Sequence, residues 1–114
     1  MSVDFTTSLG FGYIIPKERA KEVRDGGDKN NYYDYEDYLY ALDCYDEETN
    51  YFFGKILKTI DAGEAFSVTG SVPNSFDAYA WFTEIAAVLE KCGINIEFNT
   101  DWCQPEFLVI GWVS

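Results

Sequence analysis

Residues 3–15, VDFTTSLGFGYII, alternate without a break. Val3, Phe5, Thr7, Leu9, Phe11, Tyr13 and Ile15 fall on one side, and Asp4, Thr6, Ser8, Gly10 and Gly12 on the other. A period of two held over that length is the pattern of a half-buried strand. A strand so long needs neighbours to pair with and an apolar layer against its larger side chains, so the chain is committed to a sheet from its first residues. Gly10 and Gly12 weaken such a strand unless the backbone bulges there or another group packs close to it. The GFG triplet is not a phosphate loop, since neither GxxxxGK[ST] nor GxGxxG follows it.

Pro16 opens a short helix, PKERAKEVR, whose charges at spacings of three and four suit an exposed face. The DGGDKNN stretch reads as its stop, and residues 25–37 as a flexible loop. Tyr38–Tyr45 then reads as a strand, Asp46–Asn50 as a turn and Tyr51–Ile60 as the return strand of a hairpin. Phe52, Phe53, Ile56, Leu57 and Ile60 also satisfy a helical face, but the turn composition before them and the aromatic and β-branched surroundings favour a strand. A second helix is predicted over Ser75–Cys92. Asn74 or Ser75 caps it, Asp77 lies in the first turn and Lys91 in the last, and Gly93 ends it. Its apolar stripe is Ala78, Phe82, Ile85, Ala86 and Leu89, widened by Trp81, Val88 and Cys92. Ile94–Phe98 suits a short strand. Phe107–Val113, just after Pro105, is apolar at nearly every position, which fits a strand buried on both faces or an edge completed by another chain.

The resulting order, βαββαβ, predicts an α+β fold: a two-layer sandwich with a mainly antiparallel sheet of about four strands and two helices. Ferredoxin-like topology is one winding of that order. At 114 residues the chain is expected to form a single domain, 1–114, and with 47% apolar and 18% aromatic residues it has the side chains for a core despite a net charge of -12.

That charge restricts partners. The basic residues cluster at Lys17, Arg19, Lys21 and Arg24, while residues 61–114 hold Lys91 alone against eight acids. A field of this sign repels nucleic acid and anionic lipid and attracts a basic protein surface. The start lacks a charged segment followed by an apolar one, and no apolar run approaches the roughly 18 residues of a membrane span, so a cytoplasmic protein is expected. Cys44, Cys92 and Cys103 are odd in number and without CxxC spacing, and the chain has no His, so reduced thiols are expected rather than a zinc site.

The same lack of His removes the commonest general base and the Ser-His-Asp and Cys-His triads. Asp43 with Asp46, or Glu47 with Glu48, is the remaining acid–base pair, and adjacent acids in a turn are ordinarily solvated. Those four could hold a hard cation, but their spacing matches no EF-hand loop. Cys92 lies at a helix C-terminus, where the dipole opposes a thiolate, and Cys44 lies among acids; Cys103, beside Trp102 in a turn, is the more exposed candidate. No enzyme activity, cofactor or metal is expected.

Binding remains, and residues 30–52, NNYYDYEDYLYALDCYDEETNYF, are its material. Tyrosines alternate with carboxylates and no Lys or Arg intervenes. Tyr supplies rigid contact area at small entropic cost, and Asp and Glu accept bidentate bonds from Arg. Read as an extended strand, the run puts Asp34 and Glu36 on one face about 6.5–7 Å apart. Rows of carboxylates at such intervals imitate backbone phosphates. The partner-binding set is then Tyr33, Asp34, Tyr35, Glu36 and Asp37, with Asp46, Glu47 and Glu48 at the hairpin tip. The contrary reading is a solvated hairpin whose tyrosines pack across the strands.

In size and charge the chain resembles the small acidic inhibitors that phages direct against host defence nucleases, including anti-CRISPR proteins and nucleic-acid mimics, and equally the acidic immunity proteins that neutralise basic toxins. The resemblance implies a non-enzymatic inhibitor that blocks a basic surface of a nucleic-acid-binding enzyme in the host cytoplasm. The other expectation is a homo-oligomeric structural or regulatory module joined through Phe107–Val113.

Overall fold

The computed structural model, which describes residues 5–96, 102 and 104–113, places the alternating run in a strand, β1 (Phe5–Ile15), between two antiparallel partners. These are β3 (Tyr51–Asp61) on one side and β4 (Glu106–Val113) on the other. The short β2 (Leu39–Ala41) extends the sheet beyond β3, giving the order β2-β3-β1-β4. β1 and β2 therefore run the same way with β3 between them, and β3 and β4 run the same way with β1 between them. Two split βαβ units interleave, the ferredoxin-like winding of the predicted order, in an α+β fold.

Two helices, α1 (Lys17–Lys29) and α3 (Ala78–Lys91), supply the second layer. Phe11, Tyr13 and Ile15 of β1 and Phe53 of β3 pack with Ala20 and Val23 of α1, with Ile85, Val88 and Leu89 of α3, and with Cys92 and Trp102. Each of the larger aliphatic and aromatic side chains among them contributes about 1.5–3 kcal/mol by leaving water, which makes this layer the main source of stability. A one-turn helix, α2 (Val68–Ser71), not foreseen in the sequence, precedes α3, and a 3-10 turn, Asp34–Asp37, precedes β2. Among the described residues no helix is long and apolar enough to cross a membrane.

The opposite face of the sheet curls on itself. Gly12 faces Gly54 across β1 and β3, and a Cβ on either residue would press on the other strand's backbone, that of Gly12 coming within 2.8 Å of the Gly54 Cα. The register shifts between Leu9 and Gly10, leaving Leu57 as the extra residue of a bulge, which adds twist. Gly10 leaves room for the fully buried Phe52; a Cβ there would lie 2.7 Å from the Phe52 ring. The curl closes where Val113 donates its N–H to the Leu42 carbonyl at 2.8 Å and accepts from the Cys44 N–H at 3.3 Å. Under that closure the buried Ser8 shares a hydrogen bond with Thr59 (2.8 Å) and accepts one from the Trp112 indole N–H at 3.0 Å.

Several boundaries differ from the sequence reading. Asp25–Lys29 continue α1 where a loop is predicted, because Gly26 and Gly27 serve close approach rather than a turn: a Cβ at Gly26 would collide with the Cys92 carbonyl, and one at Gly27 with the Tyr35 ring. The chain reverses instead at Asn31, whose φ of 52° lies in the left-handed region that Asn tolerates. α3 starts at Ala78 with Asp77 as its cap, the carboxylate accepting the Ala80 N–H at 3.1 Å. Ile85, Val88 and Leu89 face inward, whereas Phe82 and Ala86 line an outer groove. β2 spans three residues rather than Tyr38–Tyr45. β4 is not buried on both faces: it is an edge strand, with Phe107 40% and Val109 66% exposed. Ile94–Ile96 form no strand, and positions 97 and 98 of the predicted one lie outside the described residues, as does Cys103.

Candidate protein-binding surface

The tyrosine–acid run divides at the 3-10 turn. Tyr32 donates its N–H to the Gly27 carbonyl at 2.9 Å, tying the start of the run to the end of α1, and the Lys91 ammonium sits 5.3 Å from the Tyr32 ring centre. Tyr35 is 5% exposed and fills the space that Gly27 leaves open. Its side chain is part of the core, so it cannot be a contact residue as the sequence reading proposed. That single inward side chain pins the turn, and Tyr33 (51% exposed), Asp34, Glu36 and Asp37 face solvent around it.

The extended spacing of Asp34 and Glu36 is likewise replaced. In a 3-10 helix residues three apart lie on the same side, so Asp34 and Asp37 share a side, roughly 6 Å apart at about 2.0 Å of rise per residue. At that separation two carboxylates repel by on the order of 0.7 kcal/mol in water before salt screening. None of Asp34, Glu36 and Asp37 forms an ion pair among the described residues.

The hairpin-tip acids are arranged differently. Asp43 accepts the Tyr45 N–H at 3.0 Å and Asp46 the Glu48 N–H at 2.9 Å, so both carboxylates hold the turn together. Asp43 also donates its N–H to the Thr49 hydroxyl at 3.0 Å, and Thr49 is buried beneath the loop. Glu48 pairs with Lys17, which hydrogen-bonds it and has its pKa raised in consequence. Of the three tip acids, Glu47 alone makes no side-chain hydrogen bond or ion pair among the described residues. The possible cation set does not assemble: among the described residues no three metal-ligating side chains converge.

The tip and the 3-10 turn are also far apart. Glu48 pairs with the first residue of α1, whereas the turn rests on Gly27 near its other end. A helix of 13 residues spans about 20 Å, so the two acidic groups form separate patches.

Beside Asp37 lies a cluster that the sequence gives no sign of. Tyr38 donates its hydroxyl to Glu84 at 2.8 Å, Lys55 bonds the same carboxylate at 3.1 Å, and the Lys55 ammonium stands 4.5 Å from the Trp81 ring centre. Burial, followed by the Glu84 hydrogen bond, pushes Tyr38 up to about 12. The Lys55–Glu84 pair joins β3 to α3 across the tertiary structure, and no spacing in the sequence links the two. Asp37, Tyr38, Tyr40, Lys55 and Glu84 border a shallow cleft next to the turn.

A larger groove of about 430 Å³ runs along α3, lined by Tyr79, Phe82, Ala86, Ala87, Ile96 and Trp102. Thr83, Glu90 and Gln104 add polar groups to it, and the Thr83 hydroxyl donates to the Tyr79 carbonyl at 2.8 Å. Cys92, buried between the helices, has its thiol pushed up to about 11 by burial, the opposite of what a nucleophilic thiolate needs. Comparison with protein-family models, curated proteins and solved structures gives no match to this chain.

Proposed function

We propose that the chain is a non-enzymatic binding protein that occupies a basic surface of a partner, with Tyr33, Asp34, Glu36 and Asp37 as the contact residues. The partner surface is one that handles nucleic acid, and occupying it blocks that use. One observation carries the reading: three exposed carboxylates with no ion pair among the described residues are gathered on a single turn, next to the exposed Tyr33 and pinned by the buried Tyr35. A partner's Arg or Lys relieves the repulsion between Asp34 and Asp37. Tyr33 adds contact area that loses little entropy on docking. Because the turn is already folded, ordering it on binding costs little.

The test is affinity capture from a cell lysate at about 0.05 and 0.3 M salt, with and without double-stranded DNA as competitor. The reading expects a partner retained at low salt, lost at high salt and displaced by DNA. Capture indifferent to both salt and DNA overturns it.

A further inference from the structure

α3 is apolar on more than its inward side. Ile85, Val88 and Leu89 fill the core, but Tyr79, Phe82 and Ala86, spaced three and four apart along the helix, form a second stripe that lines the outer groove of about 430 Å³. Little of this stripe serves the fold: Tyr79, at its start, is 80% exposed. A further depression of about 280 Å³ adjoins the groove, sharing Tyr79, Phe82 and Gln104 with it.

Trp102 joins the groove to the core. It lines the one and meets Tyr13 and Phe53 of the other edge to face, with ring centroids 5.2 and 6.0 Å away. The residue is 3% exposed, and its indole N–H is buried with no acceptor among the described residues. Buried polar groups are ordinarily paired, and an indole N–H can only donate, so this one carries a desolvation cost that nothing offsets. Among the described residues no Lys or Arg lines the groove, whereas Glu90 does, on a chain of net charge -12.

From this we infer that the groove binds a small neutral aromatic molecule whose carbonyl oxygen accepts the Trp102 N–H. Its volume lies in the range of small-molecule sites, which are mostly apolar with a few placed polar groups. The ligand's ring packs against Tyr79 and Phe82 and takes apolar area there out of water. Its carbonyl supplies the acceptor that Trp102 lacks; a hydrocarbon or a cation would leave that N–H unpaired. An anion is repelled by Glu90 and by the field of the whole chain. The N–H is closed over in the empty groove, so the carbonyl reaches it by parting the side chains above, a rotamer change of the kind common on binding. The site goes beyond the proposed partner-binding role and does not depend on it, since none of its lining residues belongs to the acidic turn.

Three single-ring probes test the inference by two-dimensional NMR on the intact, isotope-labelled chain: acetophenone, ethylbenzene, which lacks the oxygen, and benzoate, which is anionic. The Trp102 indole signal is identified by its proximity to the Tyr13 ring. Acetophenone is expected to bind with a Kd on the order of 1 mM, as suits so small a probe, and to move the Trp102 indole proton downfield. Ethylbenzene should bind at least about threefold more weakly, and benzoate at least about tenfold. Trp102→Phe should bind acetophenone and ethylbenzene alike, and Ala86→Phe, which fills the groove, should bind neither. The denaturant midpoint checks that both variants fold, and the three probes on the wild-type chain decide the matter if one does not. An indole signal that acetophenone leaves unmoved at about 10 mM overturns the inference. So does wild-type binding of ethylbenzene or benzoate as tight as that of acetophenone, or a folded Ala86→Phe variant that still binds the ketone.

Discussion

Tyr40 and Trp112 meet edge to face with ring centroids 5.4 Å apart, although they stand on β2 and β4, the two edges of the sheet. A flat sheet of this order would hold them three strand spacings apart, roughly 14 Å. The curl brings them together over Phe52, which Tyr40 also contacts. The face without helices thereby acquires a small core of its own, and the fold depends on the residues that let the backbone bend.

Gly12 and Gly54 are those residues. Alanine at either position drives a Cβ into the opposite strand, so Gly12→Ala or Gly54→Ala should destabilise the chain by about 2–3 kcal/mol, measured by denaturant unfolding. Gly70→Ala, where a Cβ would make only ordinary contact with Ser67, is the control and should stay within about 0.5 kcal/mol. Equal losses at all three positions would mean that the glycine pair has no special part in the bend.

Ser8 links the closed face through hydrogen bonds rather than packing. Ser8→Ala removes the acceptor of the Trp112 indole N–H and the partner of Thr59 together, with an expected cost of about 1–3 kcal/mol. Combining it with Trp112→Phe should cost less than the two single changes summed, because they remove a shared hydrogen bond. Additive losses would place the energy elsewhere.

Tyr33 and Tyr35 look alike in the sequence and should behave in opposite ways. Tyr35→Ala opens a cavity against Gly27 and should destabilise by about 3–4 kcal/mol. Tyr33→Ala should change stability by no more than about 0.5 kcal/mol while weakening partner capture. A Tyr35→Ala variant that keeps its midpoint would contradict the burial of that ring.

Alkaline pH isolates Tyr38. Its folded pKa of about 12 exceeds the ordinary 10.0, so the folded chain holds that proton more tightly than the unfolded chain does. The stability this contributes is complete below pH 10 and is lost as the pH rises toward 12. The stability difference between wild type and Tyr38→Phe should therefore shrink over that window. A difference that is constant with pH would refute the tie between Tyr38 and Glu84.

Where the sequence was legible, the information was local. The alternation of residues 3–15 and the turn chemistry around Asp46 needed no distant partner: the first gives the strand Phe5–Ile15, although Ser8–Tyr13 are buried on both faces rather than half-buried, and the second lies in the 42–50 connection between β2 and β3. Gly26 and Gly27 illustrate the converse: the same pair suits a turn or a close helix contact, and the choice is made by Cys92 and Tyr35, distant in sequence. In the candidate site, the Tyr–acid alternation fits an extended strand and a 3-10 turn equally well near Tyr33–Asp37. Gly27 decides between them by offering a place for the Tyr35 ring. The curl was hinted at by Gly10 and Gly12, but its partner glycine at position 54 became visible only once β1 and β3 were in register.

The central claim is that the acidic 3-10 turn, and not acidity in general, binds the partner. Two variants of matched charge change test it in one capture assay at low salt: Asp34→Lys with Asp37→Lys on the turn, and Glu47→Lys with Glu48→Lys at the hairpin tip. The turn variant should lose the partner, with affinity down by about 100-fold or more, while the tip variant retains it within about threefold. Equal losses in the two variants, or capture by a folded turn variant as strong as wild type, would contradict the account.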